Sequence, residues 1–313
     1  MRAFTYESPR SLEQALSVLA TAGEKGRVFT GGTDLLIQMR AGVRQPDLVV
    51  DTKAIPELQV LSFDPQTGLR LGAAVSCRRI TTDPTVRQHY PGLVEAAGLI
   101  GSIQIQSRCS VGGNLCNGSP AADTPPALIA LNAVCHIVGP KGQRTVAAED
   151  FVVSPGRTVL QPGELLVEFR IAAPQPHSAD CYMRFIPRNE MDIAVVGVGA
   201  SVTLEGEICT AARIALGAVA PTPLFAKEAS AALVGKRSSD ADPPTTSSSA
   251  FAQSAAAAGN PLNEEAIALA AELATQIARP ITDMRGTAEY RKHLVGVLTR
   301  RVLHEAAERA KKR

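Results

Sequence analysis

Two runs of small residues are the part of this chain best suited to chemistry, because each could bind a phosphate through its main chain. They are residues 30–34, with the sequence TGGTD, and residues 110–114, with the sequence SVGGN. Each lies between an apolar run and a segment that could begin a helix, and the small side chains leave backbone N–H groups open to an anion. Because the runs are far apart in the chain, the sequence predicts a diphosphate held from both sides rather than a single-loop nucleotide site.

The second run continues through further small residues and ends at a carboxylate, Asp123. A nucleotide that approaches the main chain closely needs small residues, and a carboxylate can accept a hydrogen bond from its ribose hydroxyl or adenine amine. The alternative is that Gly112 and Gly113 form an ordinary turn and that Asp123 caps the next helix. Cys109 and Cys116 flank the run, either as structural thiols or as small residues beside a ligand. The two runs together with Asp123 favour a bound nucleotide.

The elements that position the first run follow from hydrophobic spacing and capping signals. Ser11 begins a capping box, so a helix is predicted from there to Gly23. A strand over residues 27–30 leads into the first run, and Asp34 is placed to cap a second helix. With a further strand at 48–50, this part of the chain is predicted to form a compact βα unit.

The rest of the chain predicts a second unit of helices and strands, a linker and a C-terminal unit. The linker is residues 174–177, and the hairpin turn of the C-terminal unit is residues 205–207. Residues 236–261 are rich in Ser, Ala, Thr and Pro and are predicted to be a mobile loop. The predicted helices are 91–100, 125–131, 263–277 and 287–309, and the predicted strands are 69–75, 133–138, 145–146, 165–171, 181–186, 193–204 and 208–216.

Composition limits the class of protein. With 313 residues, 45% of them hydrophobic and 20% charged, the chain is long enough for two globular domains. The net charge of +2 gives no sign of a nucleic-acid partner or an anionic membrane surface. The sequence begins without an apolar signal segment and has no run long enough to span a bilayer, so a cytoplasmic protein with no membrane span is expected.

The Cys and His residues indicate neither a metal centre nor an acid–base site. The six cysteines include no Cys-x-x-Cys pair, so a zinc or iron–sulfur site within this chain is not predicted. The five histidines are scattered without the spacing of a catalytic triad, which favours structural or surface roles for them. No catalytic residue and no metal ligand is therefore assigned.

Five blocks of sequence, in order, carry a resemblance to a known family. The blocks are residues 29–35 (FTGGTDL), 110–123 (SVGGN followed by SPAAD), 163–166 (GELL), 188–194 (RNEMDIA) and 290–298 (YRKHL followed by VL). The chain resembles the FAD-binding medium subunit of the molybdenum hydroxylases, such as carbon monoxide dehydrogenase, and the flavin domain of xanthine dehydrogenase. Each block alone is a weak signal, whereas the ordered set covers nearly the whole chain.

The resemblance implies an α+β fold. A PCMH-type FAD-binding domain would cover residues 1–175, with subdomains at about 1–60 and 61–175, and a C-terminal domain with a three-stranded antiparallel sheet and helices would cover 176–313. FAD would lie extended between the two subdomains and would be the only prosthetic group of this chain. The implied function is electron transfer from a [2Fe–2S] small subunit through FAD to an external acceptor. A molybdopterin-binding large subunit would hydroxylate the substrate, in a dimer of heterotrimers.

The resemblance also implies the contacts to FAD. Ile100 would lie against the adenine or ribose end, Leu166 near the adenine, and Asp123 would make a polar contact. Arg184 stands where relatives carry a lysine near the flavin, with a surface salt bridge as its alternative role. Asp192 is either a turn or cap residue or a neighbour of the isoalloxazine. The residues expected around the diphosphate are Val28, Phe29, Thr30, Gly31, Gly32, Thr33, Asp34 and Leu35 in the first run, and Ser110, Val111, Gly112, Gly113 and Asn114 in the second.

Two other functions are consistent with the residues. A stand-alone FAD reductase of the same fold would need its own substrate pocket with a proton donor at the flavin, and the sequence offers no clear donor. A flavin-free subunit that only bridges its partners would have no need of the intact small-residue runs or of Asp123. No motif of this chain identifies the substrate or the electron acceptor.

Overall fold

The computed structural model of the protein describes residues 1–235 and 262–313, so the loop predicted at 236–261 lies outside the described residues. The described chain folds around three sheets and a short two-stranded ribbon, with three main buried cores that share residues between neighbouring sheets. In this part of the chain, no helix is both long enough and apolar enough to cross a bilayer.

The first sheet is parallel and leads into the first small-residue run. Its strands are β1 Thr5–Glu7, β2 Gly26–Phe29 and β3 Leu48–Asp51. They are ordered β1-β3-β2, so that β3 is central. Helix α1, Leu12–Ala22, joins β1 to β2 and begins as predicted, because the Ser11 hydroxyl accepts from the N–H of Gln14 at 3.2 Å. The apolar face of α1 packs in the first core.

The first run ends in helix α2, Leu35–Arg40. Asp34 occupies the N-cap position, but its side chain makes no capping hydrogen bond, so the predicted capping role is wrong. The backbone of Asp34 already has helical dihedral angles, with φ −93° and ψ −45°, which removes the extended geometry that a side-chain cap requires. The carbonyl oxygen of Gly32 accepts from the N–H of Leu36 at 3.0 Å instead, so the run turns directly into the helix.

The second sheet is antiparallel and lies on the other side of the first run. The strands of this unit are β4 Leu61–Asp64, β5 Gly68–Gly72, β6 Val134–Gly139, β7 Gly142–Ala147, β8 Val152–Ser154, β9 Arg157–Thr158 and β10 Leu165–Ile171. The sheet has the order β4-β5-β10-β6-β7, and β8 pairs with β9 as a separate ribbon. Strand β10 has the predicted bounds and is central, and Phe169 on it is fully buried.

The helices between β5 and β6 include one that contains the second small-residue run. They are α3 Cys77–Thr82, α4 Pro84–His89, α5 Pro91–Gly98, α6 Ile103–Gln106, α7 Val111–Cys116 and α8 Thr124–Ala130. Gly112 and Gly113 do not form the ordinary turn considered as the alternative; they lie in the first turn of α7, where the Ser110 hydroxyl accepts from the N–H of Gly113 at 3.0 Å. Close packing outweighs the low helix propensity of glycine here, since a Cβ on Gly112 would lie 2.4 Å from the carbonyl oxygen of Ala73.

The C-terminal unit is an antiparallel sheet covered by helices. Its strands are β11 Ser178–Phe185, β12 Val196–Glu205, β13 Ile208–Gly217 and β14 Leu224–Phe225, and its described helices are α9 Lys227–Leu233, α10 Glu264–Ile277 and α11 Ala288–Lys311. The three predicted strands are present, and the two-residue β14 adds a fourth beside β13. The predicted hairpin turn contains Gly206, at φ +62°. Asn263 caps α10 as predicted, accepting from the N–H of Ala266 at 2.9 Å.

The C-terminal unit packs directly on the helices of the second unit. The Glu95 carboxylate on α5 accepts from the backbone N–H of Tyr182 on β11 at 2.9 Å and from Arg309 on α11 at 2.5 Å. Gly199 on β12 allows close approach to α8, because a Cβ there would lie 2.7 Å from the carbonyl oxygen of Pro126. These contacts fix the position of β11 relative to the second small-residue run.

Candidate functional site

The two small-residue runs, which are far apart in the chain, line one cavity between the first sheet and the second unit. Its volume is about 790 Å³, within the range of roughly 300–1,000 Å³ typical of ligand pockets. Of the residues expected to contact a cofactor, Gly31, Val111, Asp123 and Arg184 lie outside the cavity wall. The others line it, namely Val28, Phe29, Thr30, Gly32, Thr33, Asp34, Leu35, Ile100, Ser110, Gly112, Gly113, Asn114 and Leu166.

Glycine shapes the first run in two different ways. A Cβ on Gly31 would lie 2.3 Å from the carbonyl oxygen of Arg108, so the absence of a side chain lets the first run touch the segment that precedes the second. Gly32 has φ +73°, in the left-handed region that glycine adopts without strain. Among the described residues, the N–H groups of Gly31, Gly32 and Thr33 have no hydrogen-bond acceptor. The first run therefore carries unused main-chain donors beside the cavity.

A buried polar cluster holds the first run in place. Asp51, which is 5% exposed, accepts from the Lys53 ammonium at 2.7 Å and from the Tyr6 hydroxyl. Burial opposes the ionisation of Asp51, but the hydrogen bonds from Lys53 and Tyr6 outweigh it and lower the pKa of this carboxyl. Lys53 also donates to the carbonyl oxygen of Thr30 at 3.1 Å, and its ammonium lies 4.3 Å from the centre of the Phe29 ring. Lys53 therefore ties the run to a buried carboxylate.

The second run brings the first turn of α7 to the cavity. Val111 is 1% exposed and anchors α7 in the second core rather than facing a ligand. Gly113 lines the cavity, and a Cβ there would meet only the Ser110 hydroxyl oxygen, at 3.2 Å. The first N–H groups of a helix have no carbonyl acceptor within it. That of Gly113 is accepted by the Ser110 hydroxyl, and Val111 follows a β-bridge between Ser110 and Ser76. In the described chain the N–H of Gly112 has no acceptor, so the second run leaves one main-chain donor unused at the cavity.

The chemistry of the cavity wall fits a dinucleotide such as the expected FAD. Unused N–H groups from both runs suit a diphosphate, which needs several donors around it. Apolar side chains of the wall, including Ile100, Leu160 and Leu166, suit the flat faces of ring systems. A Cβ on Gly113 would enter the cavity, so a small residue at this position leaves room for the ligand.

Asp123 and Arg184, which do not line the cavity, meet in a buried cluster that joins the two halves of the chain. The Asp123 carboxylate accepts from Arg184 at 2.8 Å and from the Tyr182 hydroxyl at 3.0 Å. The Arg184 side chain is 4% exposed, so the surface salt bridge considered for it is excluded. Its Nε has no hydrogen-bond partner among residues 1–235 and 262–313. Burial raises the pKa of Asp123 although the charge of Arg184 lowers it.

The cavity wall also contains residues that the sequence did not single out. The Gln38 amide donates to the side-chain oxygen of Asn117 at 2.9 Å, and Arg44 donates to the carbonyl oxygen of Gly156 at 3.4 Å. Both bonds cross from the first unit to the second. Helical spacing could have indicated Gln38, which lies one turn beyond the first run. The wall segment 156–166 carries no local signal, because tertiary packing alone brings it to the cavity.

The thiols and histidines of the chain give the cavity no strong acid or base. Cys109 and Cys116 line it as free thiols, and burial raises the pKa of Cys116 to about 12, so this thiol stays protonated at neutral pH. None of the five histidines lines the cavity. Asp192 lies outside it, in ion pairs with Arg188 at 3.6 Å and Arg285 at 3.3 Å. Across the described ranges, no group of three or more His, Cys, Asp or Glu residues could hold a metal ion.

Comparison with protein families assigns both halves of the chain. The family described as the FAD binding domain in molybdopterin dehydrogenase matches residues 2–175. The family described as the CO dehydrogenase flavoprotein C-terminal domain matches residues 182–243 and 243–306.

Curated relatives and solved structures agree with this assignment over the full length. The chain is 32% identical over 308 residues to the carbon monoxide dehydrogenase medium chain of Afipia carboxidovorans, covering 98% of each chain. It is 29% identical over 308 residues to the putative xanthine dehydrogenase FAD-binding subunit of Escherichia coli K12, covering 98% of this chain and 97% of that one. Its structure is similar to that of carbon monoxide dehydrogenase from Hydrogenophaga pseudoflava lacking the Mo-pyranopterin moiety, with a TM-score of 0.87, 31% identity and 98% of each chain covered. The chain is therefore an oxidoreductase subunit with FAD as its cofactor, and it belongs to the family of FAD-binding medium subunits of the molybdenum hydroxylases.

Proposed function

We propose that this chain is the electron-transfer subunit of a heteromeric molybdenum hydroxylase, with its FAD placed between a [2Fe–2S] small subunit and an external electron acceptor. The observation that carries the proposal is that both runs bring unused N–H groups, those of Gly32, Thr33 and Gly112, to one cavity. The names of the relatives support the assembly, because they are a medium chain and an FAD-binding subunit of dehydrogenases. A molybdopterin-binding large subunit hydroxylates the substrate in this proposal.

The chain's own residues bind and orient the cofactor. The two runs hold the diphosphate through their N–H groups, Ile100 lies against the adenine or ribose end, and Leu166 lies near the adenine. The polar contact of Asp123 to FAD and the place of Arg184 near the flavin stay predictions from the resemblance, since neither residue lines the cavity and the two form a buried ion pair. FAD, when bound, supplies the exchange of single electrons and of electron pairs.

The proposed division of the chain follows its three larger sheets, whose strands fall within residues 5–51, 61–171 and 178–225. An FAD-binding domain covers residues 1–175, with subdomains at about 1–60 and 61–175, and a C-terminal domain covers 176–313. The dimer of heterotrimers and the cytoplasmic location stay predictions from the sequence. The two relatives are named after carbon monoxide and xanthine, so similarity to them assigns no substrate to this chain.

The relatives and the cavity favour this role over the two alternatives. A stand-alone reductase is less well supported, because the named relatives are a medium chain and an FAD-binding subunit of dehydrogenases. A flavin-free bridging subunit has no use for the unused N–H groups of residues 31–33. Gly32 and Thr33 line the cavity with these N–H groups unpaired among the described residues, where they can donate to an anion, and this supports a bound ligand.

The flavin content of the full-length chain tests the FAD site. The wild-type chain is expected to purify yellow, or to accept FAD on reconstitution, with one FAD per chain. Gly113→Val is expected to lose FAD while its circular dichroism spectrum is unchanged, because the added side chain enters the cavity. Gly98→Val is the matched control, since a Cβ there makes only an ordinary contact of 3.5 Å with Thr81, away from the cavity. A colourless wild-type chain that cannot be reconstituted would refute the FAD site.

The electron-transfer role is tested in the complex assembled with both partner subunits. Gly113→Val is expected to abolish substrate-dependent reduction of the acceptor, while the substrate still reduces the iron–sulfur clusters in a single turnover. Steady-state reduction of the acceptor at the wild-type rate would instead favour the flavin-free bridging subunit.

A further inference from the structure

We propose that Arg27 and Arg44 bind the diphosphate of FAD and supply the positive charge that the main-chain donors of the two runs lack. This inference rests on the proposed FAD site and extends it to two residues outside both runs. Both side chains are half-buried and line the cavity, Arg27 on β2 and Arg44 after α2.

Both guanidinium groups keep unused donors. Arg27 donates from Nη1 to the carbonyl oxygens of Glu24 and Gly26, each at 2.7 Å, and its Nε and Nη2 have no acceptor among the described residues. Arg44 makes one long hydrogen bond, 3.4 Å to the carbonyl oxygen of Gly156. Neither side chain forms an ion pair with any residue of 1–235 or 262–313. Free donors of this planar group match the oxygens of a phosphate.

The two positive charges also repel each other. Burial lowers the pKa of Arg27, and the positive charge of Arg44 lowers it further, with the charge of Glu24 opposing the shift. Like charges held together in a half-buried wall are unfavourable until an anion lies beside them. A negatively charged ligand in the cavity would therefore offset the repulsion between Arg27 and Arg44.

The carboxylates of the cavity wall form no ion pair with either arginine within the described chain. Glu164 is already held by Arg144 through two hydrogen bonds, at 2.8 and 2.6 Å. Glu24 is near enough for its charge to act on Arg27, but it contacts Arg27 only through its backbone carbonyl. Asp34 lines the cavity, and burial raises the pKa of its carboxyl.

The position of the two arginines selects the diphosphate over the rest of FAD. The isoalloxazine and adenine rings are neutral, and only the diphosphate is negatively charged. Arg27 precedes the first run by three residues on the strand that leads into it. Arg44 belongs to the first unit and its guanidinium contacts Gly156 on the second unit. It therefore lies where the two walls of the cavity meet, and a diphosphate held between the two runs would also lie between these walls.

Binding of FAD, ADP and adenosine to the flavin-free, full-length chain tests this inference by calorimetry. Arg44→Gln is expected to weaken both FAD and ADP about ten-fold, the size of one charge-assisted hydrogen bond, and to leave adenosine unchanged. Adding Arg27→Gln is expected to bring the loss to about a hundred-fold. Arg44→Lys keeps the charge without the planar fork and is expected to restore part of the affinity.

Arg40→Gln is the matched control, because Arg40 is an exposed arginine of α2 that does not line the cavity. The melting temperature of flavin-free Arg44→Gln is expected to equal or exceed that of the wild type, since a repulsive charge is removed. A lower melting temperature would show a structural role and overturn the inference. So would wild-type affinities for FAD and ADP in Arg44→Gln, or an equal loss for adenosine.

A second experiment separates the diphosphate of FAD from that of another nucleotide. FAD-loaded wild-type protein is expected to bind no ADP at the arginine pair. If FAD-loaded protein bound ADP and Arg44→Gln abolished that binding, the two arginines would hold a diphosphate other than that of FAD, and the inference would be overturned. A wild-type chain that binds no FAD would refute the proposed function and this inference with it, whereas a loss of the Arg44 effect alone refutes only the inference.

Discussion

Replacement of Asp123 by asparagine would test the buried ion pair between the two halves of the chain. Asparagine keeps an acceptor for the Tyr182 hydroxyl but leaves the Arg184 guanidinium, whose side chain is 4% exposed, without a carboxylate. The Nε of Arg184 is already without a partner in the described chain. Removing one partner of a buried pair costs about 3–5 kcal/mol, because the other charge stays buried and uncompensated. We therefore expect Asp123→Asn to lower the free energy of unfolding by about 3 kcal/mol.

The double variant Asp123→Asn/Arg184→Met is expected to recover most of that loss. Burial raises the pKa of Asp123 despite the nearby guanidinium, which indicates that desolvation outweighs the attraction within the pair. Glu308→Gln is the control, since its bond to Lys311 at 3.2 Å joins two side chains that are more than half exposed. Urea unfolding followed by circular dichroism measures all three variants. A cost below about 1 kcal/mol for Asp123→Asn, as for an exposed pair, or a double variant no more stable than the single one, would refute this reasoning.

Three further variants test other parts of the structure. Burial raises the pKa of Asp180 to about 7, so between a pH of about 4 and 7 the native state holds a proton that the unfolded chain has released. The melting temperature of the wild type should therefore fall as the pH rises from about 4 to 7, and Asp180→Asn should abolish this fall. Gly31→Ala places a Cβ 2.3 Å from a carbonyl oxygen and should cost about 1–3 kcal/mol of stability, a cost that an unchanged urea midpoint would disprove. Lys53→Met removes the donor to Thr30 and should speed amide exchange at Leu36, whose N–H donates to the carbonyl oxygen of Gly32 in the first run; a wild-type exchange rate at Leu36 would contradict this.

Elements that depend on neighbouring residues could be predicted from the sequence. Ser11 and Asn263 each accept a hydrogen bond from an N–H three residues further on, as their capping patterns indicate. Strand β10 has the predicted bounds because its apolar run ends at turn residues on both sides. Both runs also reach one cavity, as the diphosphate hypothesis requires. These signals act over a few residues and therefore survive in the sequence alone.

The features that the sequence missed depend on contacts between distant residues. Gly112 lies in a helix rather than a turn because its missing side chain lets α7 pack on Ala73. Tyr182 completes the Asp123 cluster from 59 positions away in the chain. Arg44 belongs to no motif and reaches the cavity only through the packing of the first unit against the second. No local pattern contains these distances, so they required the folded structure.

An experimental structure of the full-length chain with FAD bound tests the central claim most directly. We predict that oxygens of one diphosphate lie within about 2.7–3.2 Å of main-chain nitrogens from both small-residue runs. A diphosphate contacted by one run alone, or FAD bound outside the cavity between them, would contradict the claim.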